Sequence, residues 1–223
     1  MGSEPIFVPD DQRYALNQFE IPKKYVKDLS SIMISSGQIN NRIEKLAKDV
    51  NEVYAGKDIF LLCVLKGAFN FFADLVHFLD KYDDTFGFDF IRVSSYDGRK
   101  STGELMITEE HVLKNVVGKD VLVVEDIVDS ALTMSGLSYI PGKEITGGLI
   151  GLIKKYNPES VRTISLLTKR TDENNGYQPD FAGFSIPNEF VVGYGLDYNQ
   201  RFRSVPHIAI MSEAGIKKYE KKK

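Results

Sequence analysis

Residues 121–133 read Val-Leu-Val-Val-Glu-Asp-Ile-Val-Asp-Ser-Ala-Leu-Thr, an apolar run that ends in three carboxylates and two hydroxyls. Four apolar residues in succession, Val121 to Val124, predict a strand buried on both faces, as in a parallel sheet covered by helices. Glu125, Asp126 and Asp129 are then expected to emerge where that strand leaves the sheet. In open α/β sheets the carboxyl edge of the strands is where ligands bind. Two adjacent acids there cost desolvation and mutual repulsion unless a cation or a polyhydroxy ligand meets them. The plainer reading is a loop whose acids are simply solvated.

Outward from this stretch, helical and strand patterns alternate. Ile39, Ile43, Leu46, Val50 and Val53 recur at three- and four-residue steps, predicting an amphipathic helix over 38–54 with Asn51 and Glu52 on its wet face. Gly56 is placed to end it. Residues 59–65 read as a central strand, 68–79 as a helix and 86–93 as another strand, with further strands expected at 121–125, 163–168 and 190–194. The fold class is therefore α/β, with a mainly parallel twisted sheet flanked by helices.

Length and composition fit one intracellular enzyme domain spanning 1–223. A sheet covered on both faces at this size buries roughly 70% of the surface exposed by the unfolded chain, so no disulfide or metal staple is needed. Cys63, the one cysteine, lies inside an apolar strand and reads as an inert core thiol of a reducing compartment. The net charge of −3 argues against a general nucleic-acid or membrane surface. His77, His111 and His207 do not cluster in sequence and read as structural or surface residues rather than metal ligands. Ile6 stands where a myristoylation signal prefers Ser or Thr, and no run resembles a signal peptide or membrane span, so the expected location is the cytosol. The lysine-rich stretch 217–223 reads as a frayed, solvated tail.

Two further segments point to anion chemistry. Leu65-Lys66-Gly67-Ala68 puts a cation and a glycine at a strand-to-helix junction, where backbone N–H groups and Lys66 can hold an anion. Residues 95–108 are polar, contain Gly98 and Gly103, and follow a strand; a movable cover and an ordinary hairpin connection fit them equally.

The acidic strand end resembles the 5-phosphoribosyl-1-pyrophosphate (PRPP) motif of the type I phosphoribosyltransferases. Lys169-Arg170, Phe190-Val191-Val192-Gly193-Tyr194 and Leu196-Asp197-Tyr198, followed by Arg203, resemble the hypoxanthine-guanine branch of that family, and the likeness runs from about Ile6 to Tyr219. The resemblance implies the family's sheet topped by a small hood from N- and C-terminal segments. It implies that Glu125 and Asp126 hold the ribose hydroxyls and Mg²⁺, that Asp129 is the general base, and that Ser130, Ala131, Leu132 and Thr133 take the 5′-phosphate. Lys66, Gly67 and Arg203 fall on the pyrophosphate site, with a Leu65–Lys66 peptide that can be cis. Ser95 and Tyr96 fall on the lid. Lys169, Phe190, Val191 and Asp197 fall on the purine site, where Lys169 donates to the 6-oxo group, Phe190 stacks on the ring and Asp197 also helps hold a second Mg²⁺. The implied reaction joins PRPP to hypoxanthine or guanine, giving IMP or GMP and pyrophosphate, in a homo-oligomer, dimer or tetramer.

The phosphate loop departs from the family. Its usual continuation after the catalytic Asp is Thr-Gly-hydrophilic-Thr, whereas Asp129 is followed by Ser130-Ala131-Leu132-Thr133. The helical pattern at 134–140 meets Pro141-Gly142 before resuming at 145–156, so the chain breaks there. Residues 131–141 read as an insertion; a second alignment puts Gly142-Lys143-Glu144 on the loop. The alternatives to an active enzyme are therefore a weakly active or inactive paralogue or isoform and, less compatibly with the acidic charge balance, an RNA-binding regulator on the same fold.

Overall fold

An unbroken apolar run can be satisfied only by burial on both sides, and residues 121–124 obtain it: all four are fully buried. In the computed structural model, which describes residues 3–82, 85–95, 105–136 and 140–220, the chain forms β1 (Ile6–Phe7), β2 (Leu29–Ile34), α1 (Ser36–Tyr54), β3 (Ile59–Leu65), α2 (Phe69–Leu79), β4 (Phe86–Ser95) and β5 (Leu105–Ile107). There follow β6 (Asp120–Val128), α3 (Leu132–Ser135), α4 (Gly148–Lys154), β7 (Ser160–Lys169), β8 (Phe181–Ile186), β9 (Val191–Val192), β10 (Ile208–Met211) and α5 (Glu213–Tyr219). The main sheet runs β1-β8-β7-β6-β3-β4-β5, parallel throughout except for β5. The hood is a second sheet, β2-β10-β9, antiparallel.

Alternate residues of β6 serve two cores. Leu122 and Val124 pack with Ile43 and Leu46 of α1 and Phe71 and Leu75 of α2. Val121 and Val123 pack with Leu149, Ile150 and Ile153 of α4 on the opposite face. Each such side chain stabilises the fold by about 1.5–3 kcal/mol of transfer free energy. A third core, including Ile32, Val192, Phe202 and Ala209, lies within the hood. Cys63 is wholly buried in β3, and burial, with Glu125 and Asp126 adding to it, pushes its thiol up to about 12. It is an inert core thiol, as the sequence implies.

Several boundaries differ from expectation for identifiable reasons. α1 starts before residue 38 because Ser35 and Gln38 form a reciprocal capping box, a signature present in the sequence. Gly56, at φ +75°, follows its end as expected. β4 continues past Val93 to Ser95 because β5 pairs with it. Residues 190–194 contribute only β9, and to the hood rather than the main sheet, because Gly193 (φ +97°) and Tyr194 (φ +50°) turn the chain. The stretch 217–223 is not simply a frayed tail: up to Tyr219 it belongs to α5, capped by Ser212, with Lys218 and the Tyr219 hydroxyl donating to Asp28. Burial works to raise the Asp28 carboxyl, but those two bonds outweigh it and hold the group below the usual carboxylate range.

His207 ties the hood to the main body. Its Nδ1 accepts the Ser36 N–H at the start of α1 at 2.9 Å. Burial holds the ring's pKa below the ordinary value, against the opposing hydrogen bond to the Glu20 carbonyl. A proton on Nδ1 removes the Ser36 bond, so the unfolded chain binds that proton more readily than the folded one. The stabilisation is complete above the ordinary histidine pKa, about 6.5, and is lost progressively as pH falls from there through the lower folded-state pKa. Urea unfolding at pH 7.5 and 5.5 should accordingly show the stability gap between the native protein and His207→Gln narrowing at the lower pH.

Candidate active site

The site follows from a mismatch in strand length. β3 pairs with β6 only as far as Cys63↔Val124, whereas β7 stays beside β6 to Val128↔Thr168. Glu125 and Asp126 thus do not lie beyond the end of their strand, as expected; they lie within it, where its β3 neighbour has turned away. The gap opens a cavity of about 360 Å³ at the carboxyl edge, a volume suited to a small ligand. Its lining includes eleven expected site residues: Lys66, Gly67, Glu125, Asp126, Asp129, Thr133, Lys169, Phe190, Val191, Asp197 and Arg203. Val64, Leu65, Val93, Ile127 and Leu196 complete it. These five apolar residues look like ordinary core in the sequence, which is why pattern alone did not mark them.

The two adjacent acids are held differently. Oε2 of Glu125 is buried with no hydrogen-bond partner, and desolvation, reinforced by the neighbouring charge of Asp126, raises its carboxyl well above the usual range. Asp126 is also raised by burial, with the Ile127 N–H and the charge of Arg203 opposing the shift. Its Oδ1 accepts that N–H at 2.9 Å. Its Oδ2 fills the place where a side chain on residue 67 would begin: a Cβ added to Gly67 would lie 1.5 Å from it. Gly195, at φ +101°, packs as closely, since a Cβ there would lie 2.2 Å from the Gly67 carbonyl oxygen. The Leu65–Lys66 peptide between these contacts is cis.

Two ion pairs span the cavity. Lys169 Nζ meets Asp129 Oδ2 at 2.6 Å, joining the ends of two adjacent strands. Arg203 meets Asp197 Oδ1 at 2.5 Å and donates to the Gly195 carbonyl at 2.6 Å, while the other Asp197 oxygen accepts the Gln200 N–H at 2.7 Å. Phe190 is 44% exposed, packed edge-to-face with Tyr198 at 5.0 Å between ring centres, so its ring is open rather than buried in the core. Glu125 and Asp126 fit a hard cation or a pair of hydroxyls, the orphaned Oε2 being an acceptor that such a ligand would satisfy. Asp197 fits less readily, since both its oxygens are engaged within the chain.

After Asp129 the chain turns sharply. Ala131 adopts the left-handed conformation at φ +64°, where the family pattern has glycine, and α3 starts at Leu132. Of the four loop residues, Thr133 lines the cavity, Ala131 is buried, Leu132 is largely exposed and Ser130 contributes a backbone carbonyl to Asn175. Residues 131–141 do not form one helical segment. Helix α3 stops at Gly136 (φ +76°) instead of continuing to 140, and α4 starts at Gly148 instead of 145. Gly136 and Gly148 bring the two helices into backbone contact: an added Cβ at 148 would lie 2.5 Å from the Met134 carbonyl oxygen. The backbone contact of Gly136 with Gly147 and Gly148 thus brings the two ends of the intervening segment together, after residues 130–133. Gly142-Lys143-Glu144, the second alignment, is exposed and does not line the cavity. Ser95 ends β4, and Tyr96 lies outside the described residues. Asn174 and Asn175, which the sequence reading passed over, bind this loop from outside.

Comparison with known proteins agrees with this geometry at two levels. Residues 35–140 match the phosphoribosyl transferase domain model. Hypoxanthine-guanine phosphoribosyltransferases from Cricetulus griseus and Homo sapiens are 43% and 42% identical, over 98% of this chain and 98% of their own length. The crystal structure of the hypoxanthine-guanine phosphoribosyltransferase from Schistosoma mansoni in complex with IMP superposes with a TM-score of 0.78 at 32% identity, covering 98% of this chain and 100% of that one. The fold and the cavity at its carboxyl edge define a type I phosphoribosyltransferase. Within that class, the chain belongs to the hypoxanthine-guanine phosphoribosyltransferase family.

The strain at Ala131 is open to measurement. Left-handed geometry costs a residue with a Cβ about 1–2 kcal/mol, partly offset by the greater chain entropy of glycine. Ala131→Gly should raise stability to urea by about 0.5–1 kcal/mol.

Proposed function

We infer that this protein transfers the 5-phosphoribosyl group of PRPP to N9 of hypoxanthine or guanine, forming IMP or GMP and releasing pyrophosphate. The observation that carries the reading is the Lys169–Asp129 pair, 2.6 Å apart across the cavity. An ammonium beside a carboxylate complements the 6-oxo acceptor and the adjacent N7–H donor of a 6-oxopurine. Adenine would oppose an amino group to Lys169, and a site with fixed donors discriminates strongly against such a mismatch. The open ring of Phe190 supports stacking on the base, and the Val191 and Asp197 backbone would read its far edge.

In this reading the C1′–oxygen bond to pyrophosphate breaks as N9 bonds to C1′, and Asp129 takes the proton from N7. Lys66, the Gly67 backbone and Arg203 would stabilise the departing charge, and Arg203 can do so once it leaves Asp197. Ser130, Thr133 and the backbone at Ala131 and Leu132 would hold the 5′-phosphate. Glu125 and Asp126 would hold the ribose hydroxyls and, with Asp197, Mg²⁺, which when bound neutralises pyrophosphate charge. Ser95 and Tyr96 would close over the reacting carbon. The return of the chain at Gly147 supports an active enzyme over an inactive paralogue, because Gly136 and Gly148 meet and none of residues 140–147 lines the cavity. We further propose that the whole chain acts as one unit, in the cytosol, as a homo-oligomer. No helix among the described residues is long and apolar enough to cross a membrane.

The deciding assay measures nucleotide formation from PRPP and Mg²⁺ with hypoxanthine, guanine and adenine in turn. Turnover of the two 6-oxopurines without adenine is expected; equal use of adenine, or none of the three, defeats the reading. Asp129→Asn should lower kcat by about 10²–10⁴-fold while the circular dichroism spectrum is kept. Gly67→Ala should also cost at least on the order of 10²-fold in kcat/KM, because its methyl group, 1.5 Å from Asp126 Oδ2, forces that carboxylate out of place by more than an ångström.

A further inference from the structure

Three backbone carbonyls of the segment 129–136, those of Asp129, Ser130 and Gly136, are met by one short strap outside the cavity lining. Asn174 donates its side-chain amide to the Asp129 carbonyl at 2.9 Å, and its own oxygen accepts the Gly176 N–H at 2.8 Å. The Asn175 backbone N–H points to the Ser130 carbonyl at 3.4 Å. The Asn175 side-chain amide donates to Ser135 Oγ at 2.9 Å and to the Gly136 carbonyl at 3.1 Å. Its oxygen accepts the Tyr177 N–H at 3.2 Å, and Tyr177 is buried in the core on the α4 face of the sheet. Two consecutive residues thus grip the first and last parts of the turn 129–136.

This grip has a physical purpose. Between its ends lies Ala131, held in a conformation that its Cβ disfavours, and just beyond it the chain leaves for the excursion that returns at Gly147. A phosphate loop works through backbone N–H groups aimed inward. Because a peptide unit is planar, holding the Asp129 and Ser130 carbonyls also fixes the directions of the Ser130 and Ala131 N–H groups on the same units. Pro141, from the excursion, lies on the strap itself, since a Cβ added to Gly176 would lie 2.9 Å from its ring. The interrupted helix is thereby braced by the same residues that hold the loop.

We propose that Asn174 and Asn175 are positioning residues for the 5′-phosphate, holding the 129–136 turn in the conformation that binds it. The proposal rests on the assignment of residues 130–133 as the phosphate cradle. The two can fail separately, and titration calorimetry of GMP against guanosine distinguishes them, because the ligands differ only by the phosphate.

Asn175→Asp keeps shape and the acceptor for Tyr177 but replaces the amide donor with a group that repels the Gly136 carbonyl. It should weaken GMP about tenfold and raise the KM for PRPP similarly, leaving guanosine affinity and the KM for hypoxanthine within twofold. Asn174→Ser, which removes the bond to the Asp129 carbonyl while leaving an acceptor for Gly176, should give a smaller loss of the same kind and serves if the first variant does not fold. Equal loss of GMP and guanosine, or no loss of either, in the folded variants overturns the strap. Thr133→Val, which alters the cradle directly, tests the assignment beneath it: if Thr133→Val weakens GMP selectively and the strap variants do not, the cradle stands and the strap falls. If Thr133→Val also leaves GMP unchanged, the cradle assignment fails.

Discussion

Everything at the functional edge depends on accommodating two half-buried carboxylates, Glu125 and Asp126, at the point where β3 stops pairing with β6. Asp126 occupies the space a side chain at residue 67 would need, which makes glycine obligatory there. The Gly67 carbonyl in turn presses on Gly195, which brings the loop carrying Asp197 and Arg203 over the cavity. One strand end, one turn and one hood loop are thus positioned by a chain of contacts too close for any Cβ. Glu125 keeps an unsatisfied buried oxygen, a cost that binding a cation or hydroxyl would offset.

The ion pairs reveal a second economy. Lys169 is neutralised by Asp129 and Arg203 by Asp197, so each cation of these pairs meets a counter-charge at the cavity. Each pair also presents a donor and an acceptor side by side, the arrangement a planar base edge or a pyrophosphate can exploit by exchanging one partner for another. Such exchange preserves charge balance, which limits the desolvation cost of binding.

Much of this was legible along the chain. The run at 121–124 required a doubly covered strand, Ile39 to Val53 required an amphipathic helix, and the acids at the strand's end marked the ligand edge; all depend on local pattern. Lys169, Phe190 and Arg203 were legible by resemblance, because their order and spacing match a known family. The boundaries were less so. The helix start at Ser36 was encoded in the Ser35–Gln38 box but is a weaker signal than hydrophobic periodicity. The end of α3 is not legible because a helical pattern continues through residue 140, while the helix stops at the contact of Gly136 with Gly148, twelve positions apart in numbering and touching only in space.

The sequence by itself determined the fold class, the identity of the catalytic edge and the chemical groups brought to it, since burial and residue chemistry act locally. Only the tertiary structure decided which groups pair, that residues 190–194 serve the hood, and that Asn174 and Asn175 hydrogen-bond to the turn 129–136. Those outcomes depend on where a strand ends relative to its neighbour and on contacts between distant segments. Hydrogen bonds and excluded volume act over a few ångströms in space, and linear spacing carries no record of that distance.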